Sequence, residues 1–435
     1  MGLVPFFNKV FDLVFRKSAL RVFRHRAYAI YLITDFLSNC GQWAFRVGVG
    51  WLAWDLTHSG FWLGVVALMA ALPFFTILPI AGAIADRTNK LSIIRATRSI
   101  GIAFTLLLFA LTITETIEIY TLCVLAFFIA VNQTFTQPVR MTMAPSLVPP
   151  EDIAPAIGIN AGMQSSARFI GPAIGGLMIA SFGVASVFIL NSFSFAIAVV
   201  GLMNIKHLTF DERTTGVRAS ILADILEGIR YAFTHPTIGP MITILFVVSI
   251  STRAFLELFP GFNDDIFNMG PEGLGTLMSS VGLGGILGSV FISNFSRSKA
   301  LFFLSFFLMA MTACLVILFA MTDNFAVAVV SVAALGFCIT CWQSTTTVLV
   351  QTSVEGRMRA RVMSIYALTF RACSSLGAMI MGGASHWFGL QIPVAAGGVV
   401  ALLILLVYVP KMKTLGRAYE ASLAAATKKR ETPAS

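Results

Sequence analysis

The chain has 435 residues, of which 57% are hydrophobic and only 11% are charged, and its mean hydropathy is +0.85. Water-soluble domains carry roughly a quarter charged residues, so the composition excludes such a domain and indicates a polytopic helical membrane protein. The net charge of +10 does not indicate nucleic-acid binding, because the basic residues flank apolar segments, where they meet anionic lipid.

Apolar runs of about 20 residues, the length that crosses the hydrocarbon core, recur twelve times along the chain. They predict an all-α membrane fold of twelve transmembrane helices in two pseudo-symmetric six-helix bundles around a central cavity. The predicted spans are residues 28–54, 61–85, 97–114, 119–140, 154–181, 184–205, 238–260, 273–295, 300–321, 325–349, 362–385 and 390–410.

The segments between and around these spans complete the predicted organisation. An apolar face on residues 220–233 predicts a surface helix in the long hydrophilic interval at the centre of the chain. The predicted divisions are a cytoplasmic amphipathic segment (1–27), an N-terminal bundle (28–205), a cytoplasmic linker with that surface helix (206–237), a C-terminal bundle (238–410) and a cytoplasmic tail (411–435).

Basic residues are distributed unequally between the two sides of the membrane. The two tails and the even-numbered turns hold 26 of the 30 lysines and arginines, and the odd-numbered turns hold none. Because cytoplasmic loops retain basic residues, both termini are predicted to be cytoplasmic. Four arginines remain inside the membrane, where an ionised side chain facing lipid costs on the order of 2.5–3.5 kcal/mol. They are therefore predicted to line a wet interior: Arg46, Arg168, Arg253 and Arg371.

The two halves have the signs of an internal duplication. A shift of 207 residues takes Arg46 onto Arg253, the pair Gly175-Gly176 onto Gly382-Gly383, and Phe135 onto Trp342. Such repeats are common in secondary transporters. Spans three, six, nine and twelve are predicted to lie on the outside, and spans three, nine and twelve to carry no charge.

The first span carries the clearest polar stripe. Asp35, Asn39, Gln42 and Arg46 are spaced four, three and four residues apart, which places them on one face of a helix. The stripe is either an interhelical polar zipper or a cavity wall in which Asp35 binds and releases a proton. In span seven Glu257 is the second candidate for proton coupling, and it alternatively forms a structural ion pair with Arg253, four residues away.

Amides, hydroxyls and aromatic rings on the predicted inner spans suit a moderately large amphipathic solute. Each of these side chains alternatively serves helix–helix hydrogen bonding. The candidates for the substrate cavity are Asn39, Gln42, Trp43, Arg46, Asn132, Gln133, Thr136, Gln137, Arg168, Arg253, Trp342, Gln343 and Arg371.

Motifs for catalysis and for ATP binding are absent from the sequence. It contains no phosphate-binding G-x-x-x-x-G-K-[ST] loop, no H-E-x-x-H and no G-x-S-x-G. The five histidines are scattered near span ends, so no metal cluster is expected. The sequence thus predicts neither an enzyme nor a cofactor, and an ion or solute gradient as the source of energy. The chain is expected to act as a monomer on a small-molecule substrate.

The turn between spans two and three reads Gly82-Ala83-Ile84-Ala85-Asp86-Arg87-Thr88-Asn89-Lys90. It resembles the signature loop of the major facilitator superfamily, G-x-[LIV]-[AS]-D-[RK]-x-[GN]-[RK]. Gly82 is expected to permit close packing of two helix ends. Asp86, Arg87 and Lys90 are expected to form a cytoplasmic latch that is made in one conformation and broken in another.

Span five resembles the exporter motif of the same superfamily, a glycine-lined helix with a proline. Its predicted hinge residues are Gly158, Gly171, Pro172, Gly175 and Gly176. Gly41 to Thr57, Pro145 to Gly176 and Arg357 to Ser364 are similar to the branch that contains enterobactin-exporter-like and macrolide-efflux-like bacterial transporters. Many members of that branch carry an acid where Gln42 stands, so Asp35 is the alternative carrier.

The resemblance implies proton-driven efflux of a drug or siderophore across the bacterial inner membrane by alternating access. The alternatives are uptake, facilitated diffusion or lipid flipping by the same fold, and, more remotely, a signalling or assembly protein without transport.

Overall fold

The computed structural model describes residues 19–205, 238–293, 300–354, 358–412 and 416. The predicted central surface helix, most of the C-terminal tail and the first 18 residues lie outside this described part. A 3-10 helix (Ala19–Arg24) precedes the main helices. These are α1 (Arg26–Thr57), α2 (Gly60–Thr76), α3 (Leu78–Arg87), α4 (Lys90–Ile113), α5 (Ile119–Ser146), α6 (Ile153–Phe182), α7 (Ala185–Met203), α8 (Ile238–Thr252), α9 (Pro271–Ser293), α10 (Ala300–Met321), α11 (Phe325–Ser353), α12 (Arg359–Phe388) and α13 (Gln391–Tyr408).

Each of the twelve predicted spans falls on helical structure. Span two is divided into α2 and α3, and span seven continues beyond α8 as short 3-10, α and π segments as far as Ile266. Within the described residues, eight helices are long and apolar enough to cross a membrane. Three other helices, α1, α6 and α12, have 32, 30 and 30 residues. They fall outside that set although they are long enough, and they are the helices that bear Asp35, Arg168 and Arg371.

The helix boundaries repeat between the two halves of the chain. Helices α6 and α12 both have 30 residues and begin at Ile153 and Arg359, which is a shift of 206 positions. Each is followed by a glycine in the left-handed region, Gly183 with φ 78° and Gly389 with φ 70°. Helices α7 and α13 begin at the same shift. This agreement supports the internal duplication. The shift between the helix starts differs by one residue from the shift inferred from single residue matches.

The chain divides into two compact units. The first comprises the described residues of Met1–Gly48, Thr76–Ile117 and Phe128–Gly216, and the second those of Val49–Phe75, Glu118–Phe127 and Val217–Ser435. The end of α1, nearly all of α2 and the start of α5 thus pack with the C-terminal helices. The bundle boundaries expected from the sequence, 28–205 and 238–410, remain predictions.

Each unit has its own apolar core. The core of the first unit joins the first turns of α1 and α4 to the end of α5 through side chains such as Tyr28, Ile94 and Met143. The core of the second unit lies among α8, α10, α11, α12 and α13, and Trp342 and Phe302 are among its large buried side chains. The first of these cores lies beside the polar residues described next.

Candidate functional site

Asp35 lies at the centre of a buried charge cluster in the first unit. Its Oδ1 atom is 3.3 Å from Nη2 of Arg98, and its Oδ2 atom is 3.4 Å from Nη2 of Arg140. The Asn39 side chain donates a hydrogen bond of 3.0 Å to Oδ2 of the same carboxylate. Asp35 and Arg98 are 4% and 3% exposed, so solvent screens their interaction weakly. One carboxylate therefore holds two guanidinium groups.

Three helices meet at this cluster, because Asp35 is on α1, Arg98 on α4 and Arg140 on α5. A fourth helix contributes Phe195, whose ring centroid lies 4.8 Å from the Arg98 guanidinium carbon. Removing one partner from a buried ion pair typically costs 3–5 kcal/mol, because it leaves a buried charge uncompensated. The Asp35 carboxylate thus joins α1 to α4 and α5.

Arg98 corrects the expectation that span three is uncharged. The count of basic residues assigns Arg98 and Arg140 to cytoplasmic turns, although both fall at the ends of predicted spans (97–114 and 119–140). In the structure both lie on helices and point into the first unit. The sequence contains a signal for Arg98, because it continues the stripe of residues on the buried face of α4. That stripe, spaced alternately by three and four, is Leu91, Ile94, Arg98, Gly101, Thr105 and Leu108.

A small cavity adjoins the charge cluster and gathers several of the predicted cavity residues. Its volume of about 10 Å³ accommodates a single water molecule. It is lined by Arg98 together with Gln42, Asn132, Gln133 and Thr136. Asn132 on α5 also donates a hydrogen bond of 2.8 Å to the carbonyl oxygen of Thr97 on α4. This amide therefore makes a helix–helix hydrogen bond. Residues of the polar stripes of α1 and α5 both line this cavity. It is too small for an organic solute.

A second group of predicted residues surrounds one indole ring. The guanidinium carbon of Arg46 lies 5.5 Å from the centroid of Trp43, and that of Arg168 lies 5.7 Å from it. Trp43 is half-buried, and both arginines are exposed. An exposed guanidinium is favourable in water and costly in lipid. The placement of these two side chains in a wet cavity remains a prediction.

Glycines on α6 explain why Trp43 lies where it does. A Cβ atom added at Gly171 would lie 2.5 Å from Trp43 Cβ and 2.7 Å from the Cys40 carbonyl oxygen. One added at Gly175 would lie 2.9 Å from the Ala44 Cα. The glycines therefore allow α6 to approach the backbone of α1 closely.

The remaining residues of the predicted hinge lie on the same continuous helix. Pro172 and Gly176 are buried within α6, whereas Gly158 lies beside open space. The role of these residues as a hinge remains a prediction.

The cavity role of Trp342 in the second half remains a prediction. Trp342 is 0% exposed and belongs to the apolar core of the second unit. The reason is a buried stripe on α11 at helical spacing, formed with Cys338, Thr345 and Leu349. The neighbouring Gln343 is half-buried, and its carbonyl oxygen accepts a hydrogen bond of 3.1 Å from the Tyr366 hydroxyl.

The other candidates of the second half surround the end of α8. Arg253 follows the last residue of that helix, and Glu257 lies in the 3-10 helix Ala254–Leu258. The α-helical spacing assumed for a pair four residues apart is therefore absent here. The Arg253 carbonyl oxygen accepts a hydrogen bond of 3.4 Å from Ser374 on α12. Arg371 lies on the same helix, and its side chain is outside the described atoms.

The signature loop joins α3 to α4. Asn89 caps α4, since its Oδ1 atom accepts hydrogen bonds from the backbone amides of Leu91 at 2.9 Å and Ser92 at 3.4 Å. Lys90 donates from Nζ to Ser146 Oγ over 3.1 Å, which links this loop to the end of α5.

Gly82 makes no close approach within the part of the chain that the structure describes. Among those residues, no atom lies within 4 Å of a Cβ added there. Arg87 is exposed, and the Asp86 side chain lies outside the described atoms. The latch function of Gly82, Asp86, Arg87 and Lys90 remains a prediction.

Sequence reasoning missed an ion-pair group at the start of α6. Arg21 Nε lies 2.5 Å from Asp152 Oδ1, and His25 Nε2 lies 2.8 Å from Asp152 Oδ2. Arg21 also donates a hydrogen bond of 2.7 Å to the carbonyl oxygen of Glu151. The segment before α1 is thus fastened to the start of α6.

Comparisons with known proteins place this architecture in one family. The staphyloferrin A transporter of Staphylococcus aureus is 24% identical over 383 residues, which are 87% of this chain and 94% of the relative. The enterobactin exporter EntS of Escherichia coli is 24% identical over 395 residues, 88% of this chain and 92% of the exporter. A crystal structure of the nucleoside transporter NupG superposes with a TM-score of 0.67 at 14% identity, and covers 91% of this chain and 99% of that one.

The fold is accordingly that of the major facilitator superfamily, as the signature loop predicts. The likeness to NupG shows the fold alone, because the sequences differ so widely. The sequence model described as transmembrane secretion effector matches residues 17–432, nearly the whole length. On this evidence the chain belongs to the transmembrane secretion effector family of the major facilitator superfamily, whose members are multi-pass membrane transporters and not enzymes.

Proposed function

We propose that the protein is a secondary active transporter that exports an amphipathic small molecule, driven by protons and working by alternating access. The similarity to an enterobactin exporter and to a staphyloferrin A transporter supports a siderophore as the solute, and the span-five motif supports export. The placement of basic residues supports a cytoplasmic membrane location with both termini in the cytoplasm.

The observation that carries the proton coupling is the Asp35 cluster. A carboxylate that lies between one buried and one half-buried guanidinium changes its interactions strongly when it takes up a proton. In the proposed cycle, protonation of Asp35 weakens its attraction to Arg98 and Arg140, and α1 separates from α4 and α5. Loss of the proton restores the cluster. One proton moving down about 100 mV provides about 2.3 kcal/mol for solute movement.

The experiment that tests this proposal compares Asp35→Asn with wild type in inverted membrane vesicles. An imposed proton gradient should drive accumulation of a radiolabelled siderophore or macrolide in wild type, and the variant should bind the solute without accumulating it. Undiminished accumulation by Asp35→Asn would refute the assignment of Asp35. Movement of solute in the opposite direction would favour uptake, and equilibration without a gradient would favour facilitated diffusion.

A charge-balanced variant distinguishes a purely structural role of Asp35 from a role in proton coupling. Asp35→Asn alone leaves two guanidiniums without their carboxylate. Asp35→Asn combined with Arg98→Gln leaves one guanidinium, so the double variant has the same net charge as the native cluster. We expect the double variant to regain thermal stability and to remain uncoupled. If the double variant regains gradient-driven export, Asp35 serves structure and another group carries the proton.

A further inference from the structure

Two arginines of the first unit lie against the same aromatic ring, and this arrangement bears on what the transporter binds. Because both distances are measured to the Trp43 centroid, the Cζ atoms of Arg46 and Arg168 are at most 11.2 Å apart, the sum of 5.5 Å and 5.7 Å. Like charges at such a separation repel one another, most strongly where the surrounding dielectric constant is low. The fold therefore brings two like charges to the same indole ring.

The backbone fixes this arrangement. Gly171 lies against the Cβ of Trp43, so α6 supports the ring from one side and carries Arg168, three residues earlier, to its face. Arg46 lies on α1, three residues after Trp43, which is one turn further along the same side of the helix. Neither arginine needs a large movement to meet a ligand beside the indole.

The surroundings leave room for such a ligand. On α6, Ser165, Ala161 and Gly158 lie about one, two and three turns before Arg168, and all three are small residues. Among the residues that the structure describes, nothing lies within 4 Å of a Cβ added at Gly158 or at Gly162. Ten residues of helix separate Gly158 from Arg168, which corresponds to about 15 Å. An open, small-residue face thus leads from the first turns of α6 to the two guanidiniums.

From these observations we infer that Trp43, Arg46 and Arg168 form a binding site for an anionic group attached to a flat apolar body, such as an aromatic carboxylate. The anion relieves the repulsion between the two guanidiniums and accepts their charge-assisted hydrogen bonds, and the apolar body stacks on the indole. The inference rests on the proposed function, because it names the substrate class of that transporter. It predicts that cationic amphiphiles are poor ligands.

The test uses three probes with one ring system and different charges: 2-naphthoate, 2-naphthamide and 2-naphthylmethylammonium. Binding to the full-length protein in lipid nanodiscs is measured by titration calorimetry without any gradient. We expect 2-naphthoate to bind about tenfold or more tightly than the amide, and the ammonium most weakly. Raising the salt concentration should weaken the binding of the carboxylate and leave that of the amide nearly unchanged.

Variants locate the site. Arg46→Gln and Arg168→Gln should each weaken 2-naphthoate about tenfold or more and change the affinity for the amide little. Lys411→Gln is the matched control, since it removes a cation that lies 5.8 Å from another aromatic ring, that of Tyr408, and it should leave binding unchanged. Equal affinity for the ammonium and the carboxylate, or full affinity for 2-naphthoate in both arginine variants, overturns the inference.

The outcome is independent of coupling. The binding assay on the wild-type protein requires no proton movement. Anion binding by the wild-type protein without any proton-driven export would refute the proposed function alone. Proton-driven export of cations without anion binding would refute the anion site alone.

Discussion

Two carboxylates of the first unit, Asp35 and Asp152, each lie between two basic side chains, but in different surroundings. The partners of Asp35 are arginines on neighbouring membrane helices, at 3.3 Å and 3.4 Å. Those of Asp152 are Arg21 and His25, outside the membrane helices and at 2.5 Å and 2.8 Å. The first group joins three membrane helices. The second fastens the segment before α1 to the start of α6.

Asp152→Asn is expected to destabilise the protein by about 1–3 kcal/mol at pH 7, because it removes charge-assisted hydrogen bonds. Burial raises the pKa of Asp152, but the hydrogen bond with His25 and the charge of Arg21 outweigh burial and hold that pKa below its usual value. A carboxyl group with a lowered folded-state pKa stabilises the fold above its unfolded pKa, near 3.8, and loses this contribution as the pH falls through the folded value.

The stability difference between Asp152→Asn and wild type should therefore be full at pH 7 and shrink below about pH 4. Thermal unfolding of the purified protein across this range measures it. The control is Glu151→Gln, which neutralises the adjacent exposed carboxyl group and should change stability little at any pH. Equal stability of Asp152→Asn and wild type at pH 7 would contradict the role assigned to this group.

At the scale of elements, glycines determine how closely helices approach. A Cβ added at Gly284 on α9 would overlap the Ala333 carbonyl oxygen, and one added at Gly336 on α11 would overlap that of Val281. These two helices therefore meet backbone to backbone. Small residues serve this purpose in membranes, where packing rather than water exclusion drives helix association.

A matched pair of adjacent glycines on α12 tests this principle. A Cβ at Gly382 would overlap the Gly60 carbonyl oxygen on α2, whereas one at Gly383 would lie 3.8 Å from the Phe61 ring, an ordinary contact. Both substitutions by alanine raise helix propensity by up to about 1 kcal/mol. We expect Gly382→Ala to destabilise the fold by about 1–3 kcal/mol through overpacking, and Gly383→Ala to be neutral or stabilising.

Thermal melting of the two alanine variants in detergent, followed by fluorescence-detected size exclusion, gives the comparison. Equal melting temperatures for Gly382→Ala and Gly383→Ala would show that α2 and α12 do not meet at Gly60.

For the whole molecule, apolar length and loop chemistry are sufficient to predict the helices, because the membrane requires about 20 apolar residues for each crossing. Side-chain direction is harder to predict. Residue type alone suggests a cavity position for Trp342, although its helical stripe with Cys338 and Leu349 faces the core. The crowding of basic residues at the start of α4 suggests a loop position for Arg98, although its own stripe is buried. For both Trp342 and Arg98, the helical spacing of the buried residues predicts the direction of the side chain better than the residue type does.

The positions of Arg98 and Arg140 in the structure also bear on the predicted topology. Moving Arg98 and Arg140 from the turns to the helix interior lowers the basic count on one side from 26 to 24 and leaves the other side with none. The asymmetry therefore still predicts turn four inside and turn three outside. Glu118, in turn three, and Glu151, in turn four, are both exposed acidic residues. They offer a matched pair for labelling from one side of the membrane.

In a background in which the six native cysteines are replaced, Glu118→Cys should react with a membrane-impermeant thiol reagent in intact cells. Glu151→Cys should react only after permeabilisation, because moving the basic residues of its side across the bilayer is costly. The thermal stability of the cysteine-free background is the control. The opposite labelling pattern would place the termini outside and contradict the topology predicted from the basic residues.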